Sequence, residues 1–129
     1  MKQLKKGFLI NIEEATQVNT LYRKVLFTTP KSQLVLMCLK PGEEIGKEVH
    51  TLDQFIRTEE GEGTVVIEGE EFPFPEDWAI VIPAGTMHNV KNNSPVADLK
   101  LYSLYIHQSI KTALSMGRKE TIAKNTLTA

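Results

Sequence analysis

Apolar residues along the chain fall in short runs rich in Val, Ile, Leu and aromatics, each stopped by Gly, Pro, Asn or a group of acids, which predicts strands rather than helices. The runs cover 21–28, 33–39, 45–50, 54–58, 64–68, 78–82, 87–91 and 99–106. Between them, Pro41-Gly42, Gly61-Glu62-Gly63, Gly69-Glu70, Pro83-Ala84-Gly85 and Asn92-Asn93-Ser94-Pro95 offer turn chemistry, either the fixed φ of Pro or the positive φ open to Gly. An all-β barrel is the expected fold class, with its core over about residues 20–106 and the whole of 1–129 in one domain. Runs 34–39 and 78–82 are apolar on both alternating faces. One face of a barrel strand meets the core, and a second subunit is the simplest cover for the other, so a homodimer is expected. Beyond residue 106, Ile110, Leu114 and Ile122 recur at helix-like intervals among Lys, Thr and Ser, predicting a short helical or irregular tail over 107–129.

Polar residues placed within these runs carry the candidate chemistry. Residues two apart on a strand share a face, so Glu48 and His50 point together while Lys47 and Val49 point away. In the next run Gln54, Ile56 and Thr58 share one face, and Phe55 and Arg57 the other. Pro83-Ala84-Gly85-Thr86-Met87-His88 is a rigid turn leading into a strand, a device that aims His88. Glu48, His50, Gln54 and His88 are thus expected to converge on one site. Tyr102 and Tyr105 alternate in direction, so one of them faces inward; Tyr102 is carried as a candidate catalytic proton donor, beside the reading of both as rim packing. His107 reads as solvated, Trp78 and Phe55 as core or interface aromatics, and Glu59, Glu60, Glu62, Glu68, Glu70 and Glu71 as solvated charge around two turns.

Composition narrows the function classes. Of 129 residues, 41% are hydrophobic and 24% charged, the mixture of a folded globular domain. A net charge of -1 gives no field to attract nucleic acid or an anionic membrane. No apolar run approaches the about 18 residues needed to cross a bilayer. The run Phe8-Leu9-Ile10 behind the basic start is too short for an export signal, so a cytoplasmic location is expected. Cys38 stands alone inside an apolar run and reads as a small buried hydrophobe.

Gly42, then Glu48-Val49-His50 after five intervening residues, Gln54 and Gly61 resemble the first motif of the cupins, and Pro83 to His88 with Asn92 resembles the second. The resemblance covers about residues 33–106 and implies a double-stranded β-helix, or jelly-roll barrel, with one divalent metal inside. His50 and His88 match the pattern directly, whereas Glu48 stands where His is usual and Gln54 where Glu is usual. The two exchanges together keep one carboxylate in the set. The implied metal ligands are Glu48, His50, Gln54 and His88, with Gln54 the weakest, and two His with one carboxylate suit Fe while leaving Mn, Ni, Co and Zn compatible.

Two functional readings follow. One is a metal-dependent enzyme of isomerase, lyase or dioxygenase type acting on a small oxygen-rich metabolite such as a sugar or keto acid, with Glu48 as a base when its coordination loosens. The other is a non-catalytic small-ligand binding or sensing module. Similarity to single-domain cupins of the mannose-6-phosphate isomerase-like group raises sugar isomerisation. Against a sugar phosphate, Lys47, Arg57 and Lys91 are expected to point outward, leaving no cationic clamp. A metal held only by the resemblance has an alternative too, a buried Glu and His paired by hydrogen bonding.

Overall fold

A computed structural model describes residues 2–4 and 6–107, so the expected tail beyond them lies outside the described residues. The elements run β1 (Lys2–Leu4), β2 (Gly7–Leu9), α1 (Ile12–Val18), β3 (Arg23–Thr28), β4 (Ser32–Leu39), β5 (Asp53–Glu60), β6 (Glu62–Ile67), β7 (Glu70–Pro75), β8 (Ala79–Ile82), β9 (His88–Lys91) and β10 (Leu99–Ile106). Beyond the small β1-β2 hairpin, they form a five-stranded sheet of order β3-β4-β10-β5-β8 and a three-stranded sheet of order β7-β6-β9. The main pairings are antiparallel, and the fold is the expected all-β jelly roll. Val35, Met37, Leu39, Ile56, Val65, Phe74, Ile82, Val90, Leu99 and Leu101 form the buried core, drawn from both sheets. Cross-strand register puts Leu99, Leu101, Ser103 and Tyr105 opposite Leu39, Met37, Val35 and Gln33, all on the inner face.

Run 45–50 does not become a strand. Gly46 takes φ +102°, which breaks the extended path, and the segment meets β9 only at bridges Glu44–Lys91 and Glu48–His88. The Asn89 side chain accepts from the Gly46 N–H at 2.8 Å and donates to Glu44 at 3.0 Å, so the irregular ribbon is fixed in place. β7 is absent from the expected runs because Pro73 and Pro75 interrupt its pattern; as an outer strand it tolerates them. α1 is a seven-residue helix capped by Asn11, whose side chain accepts from Glu14 N–H at 3.1 Å.

α1 changes the account of the outer surface. It packs on β4, β5 and β10, burying Thr16 completely, and Lys100 Nζ donates to the Gln17 carbonyl. Leu36 and Cys38, on the outward face of β4, are 1% exposed under this cover. The chain's own helix therefore protects the second apolar face of run 34–39, which was expected to need another subunit. On β8, by contrast, Val81 and the preceding Trp78 stand exposed, so Trp78 is not a core residue.

Glu59 also departs from its expected place on the solvated surface. It is 3% exposed, its Oε2 lying 3.4 Å from Arg57 Nε, while Arg57 Nη2 donates to Asp77 Oδ1 at 3.0 Å. Burial pushes the Glu59 carboxyl above its ordinary range; Arg57 opposes this, and Glu13 of α1 adds to it. Two contacts tie the barrel shut near the turns. Gly61 has φ +96°, and a Cβ there would lie 2.5 Å from the Asp98 carbonyl oxygen. Buried Asn92 donates to the carbonyls of Leu39 at 3.0 Å and Ala97 at 2.8 Å.

Candidate metal centre

His88 opens β9 directly after the turn 83–87, and that turn is anchored at both sides. The Ala84 N–H donates to Asp53 Oδ1 and the Gly85 N–H to the His50 carbonyl, each at 2.8 Å, with Gly85 at φ +83°. Glu48 and His88 exchange two backbone hydrogen bonds of 2.9 and 3.0 Å. The two stretches that carry the histidines are thereby held side by side by main chain rather than by the side chains themselves.

The side chains of Glu48, His50 and His88 do converge. His50 Nε2 lies 3.3 Å and His88 Nε2 4.0 Å from Glu48 Oε1, and one potential donor atom from each residue falls within 4.8 Å of the others. Bonds of about 2.0–2.2 Å to a shared ion put donors up to about 4 Å apart, so a slight side-chain adjustment brings all three onto one ion. His88 Nδ1 lies 2.9 Å from the Thr86 carbonyl, an acceptor, which places the ring proton on Nδ1 and the lone pair on Nε2. That Nε2 is buried and has no hydrogen-bond partner.

Gln54 shares the inner face with Tyr105, its cross-strand partner, and is 2% exposed. Its Nε2 donates to Ser103 Oγ at 2.9 Å, while its Oε1 is buried without a partner. Leaving such an acceptor unpaired costs about 1–3 kcal/mol, and here two stand unpaired, one on a histidine of the cluster and one on the residue expected beside it. Two lone-pair donors, an imidazole and a carboxylate oxygen are the donor set a divalent ion takes, so the residues present fit the metal the resemblance implied.

Tyr102 does not join them. Alternation along β10 turns it to the outer face, where its ring lies 6.1 Å from Phe55, so its candidacy as a proton donor gives way to Tyr105. The Tyr105 ring stands edge-on to His50 at 5.4 Å and 87°, and the two histidine rings are 5.2 Å apart. Burial, and next the Glu48 carboxylate, push the Tyr105 phenol above its ordinary value, so it keeps its proton at neutral pH.

A cavity of about 450 Å³ opens at Glu48 and His50, with Arg23, Gln33, Leu52 and Tyr105 also in its wall. Arg57 points outward as expected, and Lys91 Nζ lies 3.6 Å from Glu71 Oε2. Arg23 and Gln33 were missed by sequence reasoning. Their signal lay in register: Arg23 pairs with inward Met37, and Gln33 with Tyr105.

Two facing antiparallel sheets around a cluster of two histidines and a carboxylate, with His88 buried and Glu48 and His50 half-buried, define a barrel protein with a candidate metal-binding cavity. The cupin domain model matches residues 35–105, and the chain belongs to the cupin family. It is 45% identical over 109 residues to the uncharacterized protein YrkC of Bacillus subtilis, covering 78% of this chain and 57% of that protein. To the uncharacterized protein L612 of Acanthamoeba polyphaga mimivirus it is 43% identical over 103 residues, covering 76% and 64%. The chain therefore spans about six-tenths of the length of these curated relatives. The crystal structure of BH2720 from Bacillus halodurans superposes with a TM-score of 0.75 at 39% identity, over 85% of this chain and 88% of that one. No helix among the described residues is long and apolar enough to cross a membrane.

Proposed function

We propose that this cupin holds one divalent ion, of Fe, Mn, Ni, Co or Zn, on Glu48, His50 and His88, with Gln54 Oε1 as a fourth and weaker ligand. In this reading it is an enzyme of isomerase, lyase or dioxygenase type acting on a small oxygen-rich metabolite. The observation that carries the reading is His88 Nε2, a buried acceptor in a fixed tautomer with no hydrogen to accept and two other donors beside it. When bound, the ion polarises a chelated carbonyl or hydroxyl, and Fe also opens oxygen chemistry. Around it the chain's own residues divide the work. The Thr86 carbonyl fixes the His88 tautomer, Ser103 orients Gln54, and Tyr105 presents a protonated hydroxyl to the cavity. Glu48 is the carboxylate of the cavity wall and takes a substrate proton only when released from coordination.

That double demand on Glu48 favours a second reading, a non-catalytic binding or sensing module that uses the same cavity. The two separate experimentally. Metal-loaded protein incubated with a metabolite extract and followed by mass spectrometry is expected to deplete a small oxygen-rich compound, and Glu48→Ala to abolish the depletion. Saturable binding with no compound consumed would overturn the enzyme reading in favour of the module. The proposal also includes a homodimer through the exposed β8 face and a cytoplasmic location, supported by apolar Trp78 and Val81 and by the lone, buried thiol of Cys38.

A further inference from the structure

The cavity wall carries a cation that the metal reading leaves without a task. Arg23 sits on the inner side of β3, opposite Met37, at the mouth of the cavity over Glu48 and His50. Its guanidinium is already oriented, because Nη2 donates to Gln33 Oε1 at 3.1 Å and the side chain shares the cavity wall with Tyr105. An Arg fork has five donors, so donors remain beyond this contact. Charge points the same way. Arg23 and Lys31 both line the cavity, and Glu48 is its one carboxylate among the described residues, a charge that a divalent ion would more than offset.

Resting on the metal reading above, we propose that Arg23 is the specificity-determining residue of the cavity and that the ligand is a small carboxylic acid of the keto or hydroxy type. Its carboxylate meets the Arg23 fork while its second oxygen faces the Glu48, His50 and His88 cluster. The planar fork matches a carboxylate with two parallel hydrogen bonds, which a neutral sugar does not offer. A phosphate dianion exposes more acceptor oxygens than a single fork satisfies. A cavity of about 450 Å³ suits a compact metabolite. Gln33 acts as a positioning residue that holds the guanidinium in place.

The test compares matched ligands by calorimetric titration into cobalt-loaded protein: pyruvate and lactate against their amides, with inorganic phosphate as a third arm. The acids are expected to bind and the amides not. Arg23→Gln is expected to weaken the acids about 10- to 100-fold, the loss of one charge-assisted hydrogen-bond pair, with Arg23→Lys between the two. The visible absorption of the bound cobalt without ligand is expected to be the same in all three proteins. Equal binding of acid and amide would overturn the proposal. So would an acid preference that survives Arg23→Gln, tighter binding of phosphate, or no saturable acid binding at about 10 mM. Failure of the metal reading shows separately, as wild-type protein that takes up no cobalt. Titration of the metal-free protein still decides the clamp, since the acid preference and its dependence on Arg23 do not require the ion.

Discussion

Buried polar atoms define the chemistry of this protein at the scale of single residues. His88 Nε2 and Gln54 Oε1 lack partners and belong to inward-facing residues, whereas Glu59, also buried with an unpartnered Oε1, lies on the outward face of β5, the strand on which α1 packs. The difference is instructive, because Glu59 already has a counter-charge in Arg57 and is surrounded by Glu13, Glu76 and Asp77. Its carboxyl is raised by burial, so its contribution to stability is complete below the ordinary carboxylate range and is lost as pH rises through the folded-state value. Glu59→Gln removes that dependence. Thermal melts are expected to coincide for wild type and variant below about pH 4, the ordinary carboxylate range, and the variant to melt higher at pH 7. A variant that melts lower at pH 7 would show that the Arg57 ion pair outweighs the cost of burying the charge.

Elements show what local pattern conveys and what it leaves out. Strands β5, β6, β8, β9 and β10 all fall at their expected runs because short β-branched stretches between turn residues resemble little else. The run 45–50 reads as a strand, since Gly46 looks like any other residue in an alternating pattern until its positive φ is known. The shared direction of Glu48 and His50 nevertheless survived, because the Glu48–His88 bridge restores extended pairing at the point that matters. α1 escaped notice for a different reason. Seven residues give barely two turns of periodicity, and the helix is stabilised by packing on the sheet rather than by its own propensity. With β4 covered, the β8 run is the one of the two doubly apolar runs that stays open, with Val81 66% and Trp78 59% exposed. Sedimentation at micromolar concentration is expected to give a dimer that Val81→Lys converts to a monomer. A monomeric wild type would remove the dimer from the account.

At the scale of the whole molecule, the two sheets enclose an apolar core that includes Phe74, Leu99 and Leu101, and Gln54, His88 and Ser103 are buried as well. The candidate site was legible because its histidines sit in spaced motifs with turn residues on either side, and the structure brings both together with Glu48. Tyr105 was legible only as one of a pair, and Arg23 not at all, because the register of β3 against β4 depends on contacts far apart in the chain. What the site holds is the claim on which every functional reading depends. Metal analysis of protein purified without a His tag measures it directly, run beside His88→Ala and beside His107→Ala, which changes an exposed histidine. About one divalent ion per chain is expected in wild type and His107→Ala, and a large loss in His88→Ala. Equal, near-zero metal in all three proteins would contradict the metal reading.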